Sequence, residues 1–354
     1  MLTKSDAMIY YKESIRAYDI GLFQNVERIV QKYKYDDWGS LFYDSFFMSI
    51  IPDKLFLNLS YMMVGSISSV LLFRICCHYM PNAYAFVAAL AYGTSSFAIT
   101  FHCTFLKESL FVTVVICTMY NICRLIHKES NQAIFGVIFS LSLLFFFRPA
   151  VAAFVIIGFS VYFAIKLHGS ALSLFMYMAG VIVLLVALRS MMDMADAYSA
   201  GSEEKLVLSG NGKSYSGGFN TFVNLFGGLF GPFPTFFTKT DSMPTTIQFY
   251  SSGLTYRLFF ILPFLTGIFL ILKNKVLELF PIVVFILVEM LATSMVSASL
   301  ELRKVMPHIP FTYIVSFYGL SKWQDTKISQ RIPEATIYIV AIGILVMWNV
   351  VKTT

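Results

Sequence analysis

Ten apolar runs, each close to one bilayer in thickness, constrain this chain more than any motif in it. They fall at roughly 55–75, 83–101, 109–123, 132–147, 149–165, 171–188, 255–272, 277–297, 306–320 and 335–351. About 20 mostly apolar residues carry a helix across the hydrocarbon core, and somewhat fewer suffice when its ends snorkel. A mean hydropathy of +0.72, with 57% hydrophobic and 13% charged residues, fits no ordinary soluble domain. The expected fold is therefore all-α: a polytopic integral membrane protein with about ten transmembrane helices, plus amphipathic helices in its outer loops. The runs divide the chain into an outer-side amphipathic segment (1–53) and a first bundle of about six helices (54–188). A large outer loop (189–254) and a second bundle of about four helices (255–354) follow.

The basic residues set the expected orientation. Short loops carry Arg74 with His78, Arg124 with Lys128, Lys166 with His168, Lys273 with Lys275, and Lys322 with Lys327 and Arg331. They alternate with the remaining loops, so all fall on one side, and loops rich in Lys and Arg stay in the cytoplasm. Residues 1–53 and 189–254 are thereby assigned to the outside. An outer segment of this length needs something to carry it across, so a further membrane helix is expected upstream, with a cleaved signal peptide as the alternative. The net charge of +6 reflects cytoplasmic loops facing anionic headgroups and gives no reason to expect nucleic acid.

Several chemistries are disfavoured. The five cysteines (Cys76, Cys77, Cys103, Cys117, Cys123) lie in or beside apolar runs without metal-ligand spacing and read as small apolar filler. There is no HExxH, P-loop or GxGxxG pattern. No metal ligands are assigned. No cofactor is assigned, and a divalent cation is the one the expected chemistry admits.

Cations that break the positive-inside pattern carry the functional signal. Lys107, Arg148, Arg257, Arg303 and Lys304 map to the outer ends of apolar runs, as does Arg189. Snorkelling explains any one of them; a ring of them suits a lipid-linked phosphate, whose oxygens match the guanidinium fork. Arg148 precedes Pro149, a residue suited to the first turn of a helix, which puts Arg148 in a tight outer turn. Glu108, beside Lys107, opens a helix where the dipole favours an acid, and an ion pair or cap is its plain reading. In the N-terminal segment Ser5 or Asp6 caps a helix running to about Ile20, with Met8, Ile9, Tyr11, Ile15 and Ile20 on an apolar face. Asp6, Asp36 and Asp37 are outer-side carboxylates, able in principle to act as general base on an acceptor hydroxyl. The plain readings are an N-cap for Asp6 and a solvated turn for Asp36-Asp37-Trp38-Gly39. Residues 193–218 read as a Gly/Ser-rich loop, and 219–237, rich in Phe and broken by Gly and Pro, as an interfacial or re-entrant element.

The order of these features resembles the bacterial polytopic glycosyltransferases of the GT-C type, the group related to protein mannosyltransferases and aminoarabinose transferases. The resemblance rests on short motifs spread over residues 5–320: Asp6-Ala7-Met8-Ile9-Tyr10-Tyr11, Asp37-Trp38-Gly39-Ser40-Leu41-Phe42, Phe105-Leu106-Lys107-Glu108-Ser109-Leu110, Phe147-Arg148-Pro149, Gly231-Pro232-Phe233-Pro234 and Leu302-Arg303-Lys304-Val305-Met306-Pro307. It implies Asp6 as catalytic base, with Asp37 the second candidate, and Lys107, Arg148 and Arg303 as ligands of the donor phosphate. Tyr10, Glu108, Arg257, Lys304 and His308 complete the expected substrate-binding set. The implied reaction moves a sugar from a polyprenyl-phosphate-linked donor to a glycan, lipid or protein acceptor. The implied place is the outer face of a bacterial inner membrane, in cell-surface polysaccharide synthesis. An O-antigen or capsule repeat-unit polymerase is the alternative of like chemistry. A lipid-linked oligosaccharide flippase or transporter is the alternative from another class, with Glu289 the one clear acid inside an apolar run.

Overall fold

A computed structural model of the chain describes residues 6–103, 107–167, 245–296 and 306–323, with short helical stretches at 338–340, 342–343 and 345–347 and at 350. Among these residues every regular element is a helix. The chain divides into two compact units, residues 1–152 with 242–253, and residues 153–241 with 254–354.

In the first unit α1 (Asp6–Ser14), α2 (Arg16–Ile20) and α3 (Leu22–Lys32) pack on α4 (Tyr35–Ile50). The expected single helix to Ile20 is thus two, with a break at Ile15; Gly21, at φ 86°, turns the chain into α3 in a conformation that favours glycine. Tyr10, Ile29 and Leu41 form a small apolar core there, flanked by Tyr33, Trp38 and Phe42. Residues 36–39, read from sequence as a solvated turn, are instead the first turn of α4. Two acids at a helix start are favoured by the dipole, and α4 has a helical face of buried residues (Leu41, Asp44, Ser45, Met48) to dock.

Asp53 caps α5 (Lys54–Cys77): its Oδ1 accepts from the backbone amides of Leu55 at 2.6 Å and Phe56 at 3.0 Å. The expected run 83–101 is divided into α6 (Asn82–Gly93) and α7 (Ser96–His102), because Ser95 caps a new helix through the amide of Ala98. α8 (Lys107–Ile126) is the central helix of the unit, packed on α5 and α9 (Ala133–Phe145). α10 (Pro149–Lys166) begins directly after Arg148, whose carbonyl accepts from the amides of Val151 and Ala152.

Three of these helices, α5, α8 and α10, are long and apolar enough to cross a membrane. Their surroundings point the same way. Leu55 and Met63 on α5 are each 67% exposed, and Phe135 on α9 is 72% exposed. Apolar stripes of this length on α5 and α9 are unlike the surface of a soluble protein. The loops after α5 and α8 meet at one end of the unit. There His78 stacks on His127 at 4.6 Å, and Glu129 lies 3.6 Å from His78 and 3.7 Å from Arg124. The starts of α5 and α8 therefore share the opposite end, as the alternation of loops requires.

In the second unit lie α11 (Thr245–Lys273) from Leu254 on, a 3-10 turn (Leu277–Leu279), α12 (Phe280–Val296) and α13 (Ile309–Ser321); they cover the expected runs, with α11 starting ten residues early. α11 and α13 cross at glycine. A Cβ on Gly267 would strike the carbonyl oxygen of Val315, and one on Gly319 that of Pro263. Small residues that let backbones approach this closely are characteristic of helix pairs in membranes. The expected helix at 171–188 lies outside the described residues, as do residues 189–244 of the loop expected at 189–254; residues 245–254 of that loop are instead the start of α11.

Candidate active site

Five of the expected site residues come together where the N-terminal segment meets the starts of α8 and α10. Asp37, in the first turn of α4, accepts a hydrogen bond on Oδ1 from the Tyr10 hydroxyl at 2.8 Å. The same oxygen lies 2.5 Å from Lys107 Nζ, at the first residue of α8. One residue on, Glu108 is fully buried, with Oε1 3.6 Å from Arg148 Nη2. The Arg148 guanidinium lies over the Phe111 ring, 5.0 Å from its centroid, which adds a cation–π contact to the ion pair.

The backbone explains why these groups converge. Arg148 ends the turn after α9, its amide bonded to the Leu144 carbonyl at 2.8 Å. Beside it, the Gly39 amide donates to the Phe146 carbonyl at 3.0 Å, and the Phe147 ring lies so close to Gly39 that a Cβ there would fall 2.7 Å from it. Trp38 stacks on Phe42 and on Phe146. A glycine in the first turn of α4 thus seats that turn on the 146–148 corner and brings Asp37 over the start of α8.

The electrostatics are balanced but not closed off from water. The side chains of Lys107, Asp37 and Arg148 keep 13%, 27% and 28% of their exposure, whereas Glu108 keeps none. Two cations and two carboxylates at one helix start give a locally neutral cluster. An incoming phosphate would compete with Asp37 for Lys107 and with Glu108 for Arg148, helped by the amides and dipole at the start of α8.

The remaining expected residues are Asp6, Arg257, Arg303, Lys304 and His308. Asp6 is the first residue of α1, but its side chain, and that of Arg257 in α11, lie outside the described residues, as do Arg303 and Lys304 altogether. His308 lies in the second unit, fully buried, with Nδ1 against Glu289 Oε2 of α12. That gives Glu289 a partner and makes His308 part of a buried acid–imidazole pair. Among the described residues no group of three His, Cys, Asp or Glu is arranged to hold a metal ion.

Two features near the cluster escaped the sequence. His102 Nδ1 and Ser109 Oγ are 2.6 Å apart, tying the end of α7 to the first turn of α8, with the imidazole packed against Gly65 of α5. Asp44, two turns beyond Asp37, is fully buried and accepts from the Tyr61 hydroxyl at 2.7 Å. Once 35–50 is read as a helix, the seven-residue spacing alone puts Asp37 and Asp44 on one face. Comparison with known proteins found no family model, no curated protein and no solved structure that matches the chain.

Proposed function

We propose that this cluster is the catalytic centre of a membrane glycosyltransferase using a polyprenyl-phosphate-linked sugar donor. The observation that carries the reading is the meeting of Asp37, Lys107 and Tyr10 beside the Arg148–Glu108 pair, at the end of the helices away from the basic loops. In this account Asp37 is the general base, the role the sequence first offered to Asp6. The acceptor hydroxyl attacks the anomeric carbon and gives its proton to the Asp37 carboxylate. The bond from that carbon to the donor phosphate breaks, and the phosphate leaves with the bonding pair. Lys107 and Arg148 stabilise the charge that builds on it, the kind of preorganised electrostatics that supplies much of enzymatic rate enhancement. Tyr10 orients Asp37, and Glu108 aims Arg148. The proposed site faces the outside of a bacterial inner membrane, in a bundle of about ten crossings, with a glycan, lipid or protein as acceptor.

The reading from another class, a lipid flippase or transporter, draws support from the Glu289–His308 pair, because ionisable groups inside apolar helices often mark transport paths. Reconstituted vesicles separate the two. With a polyprenyl-phosphate-linked sugar and an acceptor glycan, the enzyme forms a new glycosidic bond, and Arg148→Ala abolishes it. Movement of labelled lipid between leaflets without a new bond would favour the transporter.

A further inference from the structure

The N-terminal helices are fastened to the first unit at two levels of α4. At its start, Asp37 meets Lys107 and Gly39 meets Phe146. Two turns later, on the same face, Asp44 meets Tyr61 of α5. Here the chemistry differs. Asp44 is fully buried, Oδ1 receives the Tyr61 hydroxyl at 2.7 Å, and Oδ2 has no hydrogen-bond partner among the described residues. The groups facing it are Tyr61 from α5 and Tyr43 from its own helix, with Tyr43 edge-on to Tyr61 at 5.3 Å; Tyr10 of α1 acts on Tyr61. Among the described residues no Lys, Arg or His acts on its carboxyl.

We propose that Asp44 is a positioning residue for the candidate site: its uncharged carboxyl pins α4 to α5 and so holds Asp37 beside Lys107, and loss of its proton loosens that hold. The part concerning Asp37 rests on the function proposed above. The physical reason is the cost of a bare charge. A carboxylate sealed from water with one hydroxyl donor and no cation is poorly stabilised, so it ionises only if water or movement reaches it. Burial pushes the Asp44 carboxyl up to about 8, with the Tyr61 hydrogen bond opposing it. Neutral pH therefore keeps the fastening closed, and mildly alkaline pH opens it. Helix α4 then frays from its C-terminal half, and the Asp37 end loses its fixed height over α8.

Amide hydrogen exchange on the full-length protein in lipid nanodiscs tests this, with rates corrected for the intrinsic effect of pH. In the wild type, exchange of α4 amides is expected to accelerate at least tenfold between pH 7 and 9. Asp44→Asn still accepts the Tyr61 hydroxyl but cannot ionise, so its exchange should stay within twofold over that range. Tyr61→Phe removes the opposing hydrogen bond and should move the midpoint upward, which decides the matter if the Asn variant does not fold. Flat wild-type exchange, a transition that survives Asp44→Asn, or an unmoved or lowered midpoint in Tyr61→Phe overturns the proposal. Sugar transfer assayed in the same samples separates the two claims. An exchange transition without transfer supports the fastening and contradicts the catalytic reading, and transfer with flat exchange does the reverse.

Discussion

Lys107 Nζ lies 2.5 Å from Asp37 Oδ1, a contact between residues 70 positions apart that joins the N-terminal helices to the start of a candidate membrane-spanning helix. Both side chains are mostly shielded, so the pair should stabilise more than an exposed one, by about 1 kcal/mol or somewhat more. A double-mutant cycle of Asp37→Asn and Lys107→Met, read by thermal unfolding in detergent, should show that coupling. Additive losses would mean that the two side chains do not act on each other.

Asp44 predicts an unusual pH dependence of stability. Its folded carboxyl, at about 8, holds a proton that the unfolded chain releases near the ordinary carboxylate value of 3.8. The folded state therefore binds more protons between those limits. Its stabilisation is complete below the lower limit and is lost as pH rises toward 8, at up to about 1.4 kcal/mol per pH unit. Thermal midpoints recorded from pH 5 to 8 should fall in the wild type and flatten in Asp44→Asn. Parallel curves would contradict the assignment.

Glu13 predicts the opposite sign. Its Oε2 lies 2.5 Å from Arg28 and 3.8 Å from Arg16, and its Oε1 lies 2.9 Å from Lys32. Burial pushes this carboxyl up, but the Lys32 hydrogen bond and the charges of Arg28, Lys32 and Arg16 outweigh it and hold it below the usual range. That stabilisation is present above the ordinary glutamate value and lost as pH falls through the lower, folded one. Glu13→Gln should cost about 1–2 kcal/mol at neutral pH, and the difference from wild type should shrink toward pH 3. A deficit that persists unchanged at pH 3 would point to packing and not to charge.

Gly319 and Gly343 form a contrasting pair. An alanine Cβ at Gly319 would run into the backbone of Pro263, whereas one at Gly343 meets nothing within 4 Å among the described residues. Gly319→Ala should destabilise by about 1–3 kcal/mol, and Gly343→Ala should leave the thermal midpoint unchanged or raise it slightly. Equal effects would show that α11 and α13 do not cross as closely as described.

Hydropathy carried most of what the sequence revealed about the helices, because lipid-facing stripes such as Leu55–Met63 need no tertiary partner to be recognised. The corner at Arg148 was legible for a local reason: Pro149 starts a helix wherever it can. Two things were not. The Ser95 break depends on a single hydroxyl capping an amide inside an apolar run, and hydropathy does not register it. The placement of Asp37 depends on Gly39 fitting under Phe147, a contact across more than one hundred residues. That is why a short polar stretch, Asp36 to Gly39, reads as a turn in isolation and becomes a helix start only when docked. Asp44 was hidden for the same reason.

Sugar transfer by reconstituted Asp37→Asn protein, with membrane insertion and folding verified alongside, tests the central claim most directly. Removing a general base should lower the rate of glycosidic bond formation by about 10²- to 10⁴-fold while lipid-linked donor still binds. A variant that transfers sugar within threefold of the wild-type rate would contradict the assignment of Asp37 as the base and the active site built around it.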